Sequence, residues 1–446
     1  MPRNRPALLA VLVAVVVLAP VTHVAAAPTT TPTVGSVGPP GATGPSAALE
    51  TATPPVYGPP PNLTAPAADG SAESVLASQS EANTSNFLSL RTEAVEQRDM
   101  SRASLNVAGA IQRDVTRLEN EYSALTFAER YENTTSHRAR MDVVRLEVRR
   151  LTRSVQQLEI RRNRVLDAYN DGDIGVEMFH RELVALDAAA RGIEIRLERI
   201  RDTTGPTLTS DLSTEMRNLE GSLLTLRGPV RQQLAAAMTG TRAPIQVYTV
   251  TSGTGIVLAS NEGPLYYREA YLGQNRRVTG ENNFISDGDP SGVSTANTRA
   301  TELYPWVYDN IRSGPNVEIV GNTSIYYVQL GHPHGSLDTY LDGRTDSTFR
   351  EIQVKNLPSL PTRTTTNVSN GLELTVNRTH ATGPMSVSVS DSATGGPLDA
   401  TVTVNGNEVG DTGSDGQLWT ITPQQSVRIS VTTDDGRTVT KRFFAG

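Results

Sequence analysis

The amino-acid sequence predicts a multidomain chain: an antiparallel α-helical coiled coil or bundle, then a small α+β domain, then an all-β immunoglobulin-like sandwich. Three observations predict this order. Apolar residues recur in alternating steps of three and four through residues 108–226, the spacing of a helical seam. Nine of the 13 tyrosines and one of the two tryptophans then fall between 245 and 357. Residues 371–446 alternate apolar and polar in short runs, as strands with one buried face do. Aromatics are only 5% of the 446 residues, too few for one dense core throughout.

Residues 1–26 read as an export signal. Arg3 and Arg5 precede a run, 7–19, made only of Ala, Leu and Val; Pro20 breaks it, and Ala25-Ala26-Ala27 supplies small residues for cleavage. A cut after Ala26 leaves Ala27 first, whereas a cut after Ala27 meets Pro28. The competing reading is an uncleaved anchor over 7–27, weakened by Pro20, Thr22 and His23. Asn4 separates the two arginines, so a twin-arginine signal is not supported. Residues 27–72 are Pro, Thr, Gly, Ala and Ser with almost no charge, which predicts a disordered spacer with polyproline character.

Composition removes several function classes. There is no cysteine, which excludes disulfides, thiolate metal sites and a cysteine nucleophile. A net charge of -7 does not predict a nucleic-acid binder. Lys355 and Lys441 are the only lysines; arginine in their stead, with an acidic balance, is compatible with a halophile.

The helical coiled-coil region is expected over 80–240. Ala108, Ile111, Val115, Leu118, Tyr122 and Leu125 form a first stripe. Met141 to Tyr169 carries a second, with Arg162 in one inward slot; Val176 to Ile200 carries a third, and Leu212 to Leu226 a fourth. Asn133-Thr134, Asp171-Gly172 and Gly205-Pro206 mark the turns, and short turns favour antiparallel neighbours. The pattern predicts a rod that stands apart as a stalk. Arginines crowd 138–164, with Glu119, Glu121, Glu194 and Glu198 as expected partners. The turn after Asp167 is no calcium loop, because Tyr169 and Met178 occupy ligand positions.

The small α+β domain is expected over 245–357, with strands near Val247, over 317–320 and over 325–330, and one helix over 300–312. His332-Pro333-His334 with Asp338 offers two imidazoles and a carboxylate, the ligand types of zinc or another divalent metal; a plain pair of loop histidines is the rival reading. Asp287-Gly288-Asp289 opens like a calcium loop, but Thr298 stands where the bidentate glutamate belongs, so a solvated turn is expected. There is no Gly-x-Ser-x-Gly, no His-Glu-x-x-His and no phosphate-binding glycine loop.

Residues 358–370 read as a linker and 371–446 as the sandwich domain. At Gly395-Gly396-Pro397-Leu398-Asp399-Ala400-Thr401-Val402-Thr403-Val404-Asn405-Gly406 and Thr412-Gly413-Ser414-Asp415-Gly416 the chain resembles carboxypeptidase-regulatory-like domains. That resemblance implies a prealbumin-like or Ig-like sandwich on a secreted or surface protein, with an adhesive or spacer role and no active site. The chain as a whole resembles uncharacterised exported proteins of halophilic archaea. Trp419 is expected to be the main aromatic of the sandwich core, with Phe443 or Phe444 nearby, and the domain to fold alone.

The leading expectation is a non-enzymatic exported or cell-surface protein, a coiled-coil stalk presenting the two modules for interaction or envelope structure. The alternatives are a secreted metal-dependent hydrolase with its site in 245–357, and an extracellular ligand-binding module. Partners are protein or cell-envelope components, with self-association through the coiled coil, no nucleic acid, and a membrane only if the N-terminal segment stays uncleaved. Candidate glycosylation sites are Asn62, Asn83, Asn133, Asn322, Asn367 and Asn377, each opening an Asn-x-Ser/Thr triplet.

Overall fold

The computed structural model describes residues 83–444 except 425, together with the short strand β1 (Leu76–Ala77), which pairs with β2 (Phe87–Leu88). The expected signal, the whole of the expected spacer and Asn62 lie outside the described residues. The described residues belong to one compact unit.

Its centre is an antiparallel sheet of eight strands: β3 (Gln97–Ala103), β4 (Ile245–Ser252), β5 (Gly255–Glu262), β6 (Leu265–Leu272), β7 (Ser313–Ile319), β8 (Ile325–His332), β9 (Gly335–Asp342) and β10 (Ser347–Asn356). Their order across the sheet is β3-β4-β5-β6-β10-β9-β8-β7. The helical region expected over 80–240 therefore contains a strand: β3 precedes the helices in sequence and pairs with β4, which follows them. Its sequence, Gln-Arg-Asp-Met-Ser-Arg-Ala, shows no alternation because it is a half-exposed edge strand whose register comes from its neighbour.

The helices are α1 (Val107–Glu132), α2 (His137–Asn170), α3 (Val176–Thr204), α4 (Ser210–Leu223) and α5 (Pro229–Met238). Asn106 and Ser136 cap α1 and α2, accepting from the N–H of Gly109 (2.9 Å) and Ala139 (3.2 Å). Pro229 opens α5, where its missing N–H costs nothing. The outer halves of α2 and α3 bury Met141, Val144, Val148, Leu151, Ile193, Leu197 and Ile200 against Leu212, Met216, Leu219 and Leu223 of α4. Their inner halves do something else. Leu166, Tyr169, Phe179, Leu183 and Leu186, with Val230 and Leu234 of α5, pack on Val247, Ile256 and Leu258 of the sheet. The helices are thus anchored on one sheet face rather than standing apart as a stalk. A three-four stripe shows that a face is buried, not what buries it.

The first stripe behaves differently. Ile111, Val115, Leu118, Tyr122 and Leu125 of α1 point to solvent, 43–73% exposed. The opposite side of α1 faces α3 with small or polar residues, and Asn120 lies so close over Gly192 that a Cβ there would meet its amide at 2.1 Å. Farther along, Ala124, Phe127 and Tyr131 are buried.

On the other sheet face lie α6 (Val293–Leu303) and α7 (Pro305–Asp309), packed on Val328, Leu330, Leu337 and Leu341. The single helix expected over 300–312 is split at Tyr304, whose backbone leaves the helical region (φ -128°, ψ 54°) because Pro305 follows.

The C-terminal part is all-β: β11 (Arg363–Ser369), β12 (Leu372–Arg378), β13 (Pro384–Asp391), β14 (Thr401–Val404), β15 (Asn407–Asp411), β16 (Gln417–Ile421), β17 (Ser426–Thr432) and β18 (Thr438–Phe444). Two antiparallel sheets, β11-β12-β13-β16 and β15-β14-β17-β18, enclose Leu374, Val376, Val387, Val402, Ile429 and Val431. Phe443 packs against that core and Phe444 is exposed. Trp419 does not join it. With Ile421 it turns outward onto the eight-stranded sheet, beside Tyr248 and Tyr266. Asn261 Nδ2 donates to Thr420 O (3.0 Å) and Tyr266 OH to Thr382 O (2.8 Å) across the same contact.

Candidate functional site

Strand β10 carries Glu351, Gln353 and Lys355 at every second position, so all three face the same side of the central sheet. On β6 they are flanked by Ala270, Arg268 and Tyr266, and on β9 by Thr339, Leu337 and Gly335. A central strand with both faces covered offers no water to such groups, so each must find a partner. Glu351 finds four donors. Arg268 Nη1 (3.1 Å) and Gln353 Nε2 (3.0 Å) reach Oε1, while Tyr304 OH (2.7 Å) and the Leu88 N–H (2.8 Å) reach Oε2. Arg268 returns the contact to Leu88 through its carbonyl (2.5 Å), and its guanidinium lies 5.0 Å from the Phe87 ring centre. Ser85 Oγ donates to Gln353 Oε1 (3.0 Å), and Gln353 Nε2 to Asn86 O (2.7 Å). The ladder therefore clasps residues 85–88 to the sheet.

Neighbouring residues on β6 extend the arrangement to the other face. Arg268 points to the ladder; Glu269 points to the helices and pairs with Arg231 of α5 at 2.9 Å. Glu269 Oε2 also accepts from the Val230 N–H (3.1 Å) at the start of α5. Gly228 makes room for it, since a Cβ there would lie 1.7 Å from that carboxylate. Each face of the sheet thus holds one buried arginine–carboxylate pair, and each pair ties a separate segment down.

The electrostatics follow from burial. Burial pushes Glu351 and Glu269 above the usual carboxylate range, against the pull of Arg268 and Arg231 respectively. Lys355 is 1% exposed. Burial lowers it to about 7, partly offset by Glu351. His332 is lowered to about 4, by burial first and then by Lys355 and His334. His380, from the β12–β13 turn, is lowered by burial and by Lys355, and stacks on Phe87 at 4.0 Å.

The structure brings two of the three candidate metal ligands together. His332 and His334 have ring centres 6.2 Å apart, and both rest on Trp306, at 5.5 and 5.2 Å. His332 Nδ1 accepts from the His334 N–H (3.2 Å), and His334 Nε2 meets Asn83 O (3.1 Å). Asp338 is on the opposite sheet face, because His332 pairs with Gly335 and Asp338 stands three residues beyond it. Its carboxylate accepts from Tyr327 OH (3.0 Å) and Gln329 Nε2 (3.2 Å). Among the described residues no group of three or more His, Asp or Glu side chains is placed to hold a metal ion. Gly335 matters for another reason. It lies between His332 and Lys355 in the row across the strands, so no side chain separates them.

Other sequence candidates have plain structural roles. Asp289 caps α6, accepting from the N–H groups of Gly292 (3.0 Å) and Thr295 (2.8 Å), which holds its carboxyl below the usual range. Arg162 does fill an inward slot: it donates to Thr225 Oγ1 (2.6 Å) and lies over Tyr271. Of the α2 arginines, Arg145, Arg150 and Arg161 pair with Asp142, Glu147 and Glu182 respectively. Glu121 pairs with Arg117 of its own helix, and Glu194 with Arg227. Asn83, Asn133 and Asn322 are exposed, but Asn367 and Asn377 have their amides in sheet contacts with Thr440 O (2.8 Å) and Ser386 Oγ (3.3 Å). Sequence reasoning passed over Arg268, Tyr304, Gln353 and Lys355. The available signal was Glu351, Gln353 and Lys355 alternating with Ile352 and Val354.

A cleft of ≈ 300 Å³ lies away from the ladder, between β4 and β16, lined by Met100, Arg102, Gln246, Asp411 and Trp419 among others. Among the described residues no helix is long and apolar enough to cross a membrane.

Three family models match successive parts of the chain. The family described as a domain of unknown function (DUF7096) matches residues 1–243, a family of unknown function (DUF7094) matches 247–361, and an archaeal fibronectin-III type-like domain matches 363–440. The chain belongs to the DUF7096 family. Its C-terminal part is a fibronectin-III-like β-sandwich, which agrees with the Ig-like class expected from the sequence. No curated protein and no solved structure matches the chain.

Proposed function

We propose that this member of the DUF7096 family is a non-enzymatic, extracytoplasmic scaffold that presents its helices and its fibronectin-III-like module at the cell surface. One observation carries the reading. Glu351, Lys355, His332 and Glu269 of the central sheet, all shifted by burial, are closed off from solvent, and Glu351 and Glu269 are committed to fastening segments together. An enzyme needs such groups within reach of substrate. Here they act as clasps.

Export is supported by the charged start, apolar run and Ala25-Ala26-Ala27 site. The resemblance of residues 395–416 to carboxypeptidase-regulatory-like modules, and of the chain to exported proteins of halophilic archaea, supports a surface role. The expected partners are protein or envelope components. Metal analysis of purified protein tests the non-enzymatic part. The expected result is no stoichiometric zinc; one zinc per chain, lost in His332→Ala and His334→Ala, would overturn it.

A further inference from the structure

We propose that α1 is a dimerisation helix, its outward stripe packing antiparallel against the same stripe of a second copy of this chain. The inference goes beyond the surface role above and does not depend on it.

The stripe Ile111, Val115, Leu118, Tyr122 and Leu125 advances by four, three, four and three residues, which keeps it straight along one side of the helix. Every member is 43–73% exposed, and Leu105 and Val107 extend the patch at 62% each. Monomers rarely expose contiguous apolar surface beyond a few hundred Å². These seven side chains leave on the order of 800 Å² per copy, about what one partner contributes to a standard interface. The helix is not short of an inner face: its small and polar side already rests on α3.

The stripe is complementary to itself. In an antiparallel pair, Val115 meets Leu118 of the second copy, Ile111 meets Tyr122, and Ala108 meets Leu125, so small residues oppose large ones in the outer layers. The flanks are acidic, with Asp114, Glu119 and Glu121 beside the seam. Arg117 of the same helix relieves two of them, at 3.7 Å from Asp114 and 3.1 Å from Glu121. Residual like charge across the seam makes the contact strengthen with salt, whereas a basic partner helix would bind more weakly as salt rises.

Sedimentation velocity on the full chain tests this, at low and high salt, beside Leu118→Glu. That position is solvent-exposed in the single chain, so the variant keeps its helical circular dichroism. The expected result is about twice the monomer mass, favoured by salt, with association weakened roughly a thousandfold in Leu118→Glu because the change enters the seam twice. The chain has no cysteine, so orientation can be read by cross-linking. Ala108→Cys copies should link to Leu125→Cys copies and not to one another. A monomer at every concentration, a dimer unaffected by Leu118→Glu, or Ala108→Cys copies linking to each other would each overturn the proposal.

Discussion

Replacing Glu351 with alanine removes the acceptor shared by Arg268, Tyr304, Gln353 and the Leu88 N–H. Arg268 is then a buried cation, 1% exposed, without its carboxylate. Breaking one side of a buried ion pair costs about 3–5 kcal/mol, because the remaining charge keeps its desolvation penalty. That is a large part of the ~5–15 kcal/mol that holds a typical protein folded. The double variant Arg268→Leu with Glu351→Leu strands no charge, so it should be more stable than Glu351→Ala alone, though Tyr304 and Leu88 still lose an acceptor. Equilibrium urea unfolding followed by tryptophan fluorescence suits the question. Both tryptophans lie on this side of the sheet, Trp306 against His332 and Trp419 beside Tyr248 and Tyr266. A Glu351→Ala unfolding free energy within about 1 kcal/mol of the parent's, or a double variant no better than the single one, would refute the clasp.

His180 is buried between Thr249 and Ser101, and burial lowers its pKa to about 4. Between pH 6.5 and 4 the unfolded chain binds a proton that the folded chain refuses, so stability should fall through that window, by roughly 3 kcal/mol for this group, and fall less in His180→Gln. Lys355, lowered from 10.5 to about 7, gives the same sign at higher pH. Stability relative to a Lys355→Met variant should rise from pH 7 to 9, and parallel curves for the two proteins would disprove the burial of its ammonium. Proline at Val148 or Ile193, both buried in the helical core, should cost ~3 kcal/mol or more, read as a lowered melting temperature with lost helical circular dichroism.

Periodicity told where helices lie and which of their faces are apolar, and the turns at Asn133, Asp171 and Gly205 fall where α1 to α4 meet. It could not tell what covers each face. The stripe of α2 runs from Met141 to Tyr169 with Arg162 as its one polar interruption, yet one half meets α4 and the other the sheet. Strand β3 was illegible because an edge strand with polar side chains has no alternation to show. Its pairing with β4 means that the segments matched separately by DUF7096 and DUF7094 complete one sheet between them. Trp419 misled for a related reason. Strand alternation puts Leu418 and Trp419 on opposite faces, but the pattern alone does not say that a second module covers the outer one. At the site, His332 and His334 were legible as a pair, while Asp338 was assigned to them by closeness in sequence that the register undoes. Lys355 stood out only as one of two lysines; its burial beside His332 depends on Gly335, a contact made through pairing rather than along the chain.

The claim that this chain is an exported scaffold is tested most directly by locating the native protein and sequencing its N-terminus. The account predicts an extracytoplasmic protein, accessible to protease added to intact cells, whose first residue is Ala27. A protease-protected chain in the cytoplasmic fraction that still begins at Met1 would contradict it.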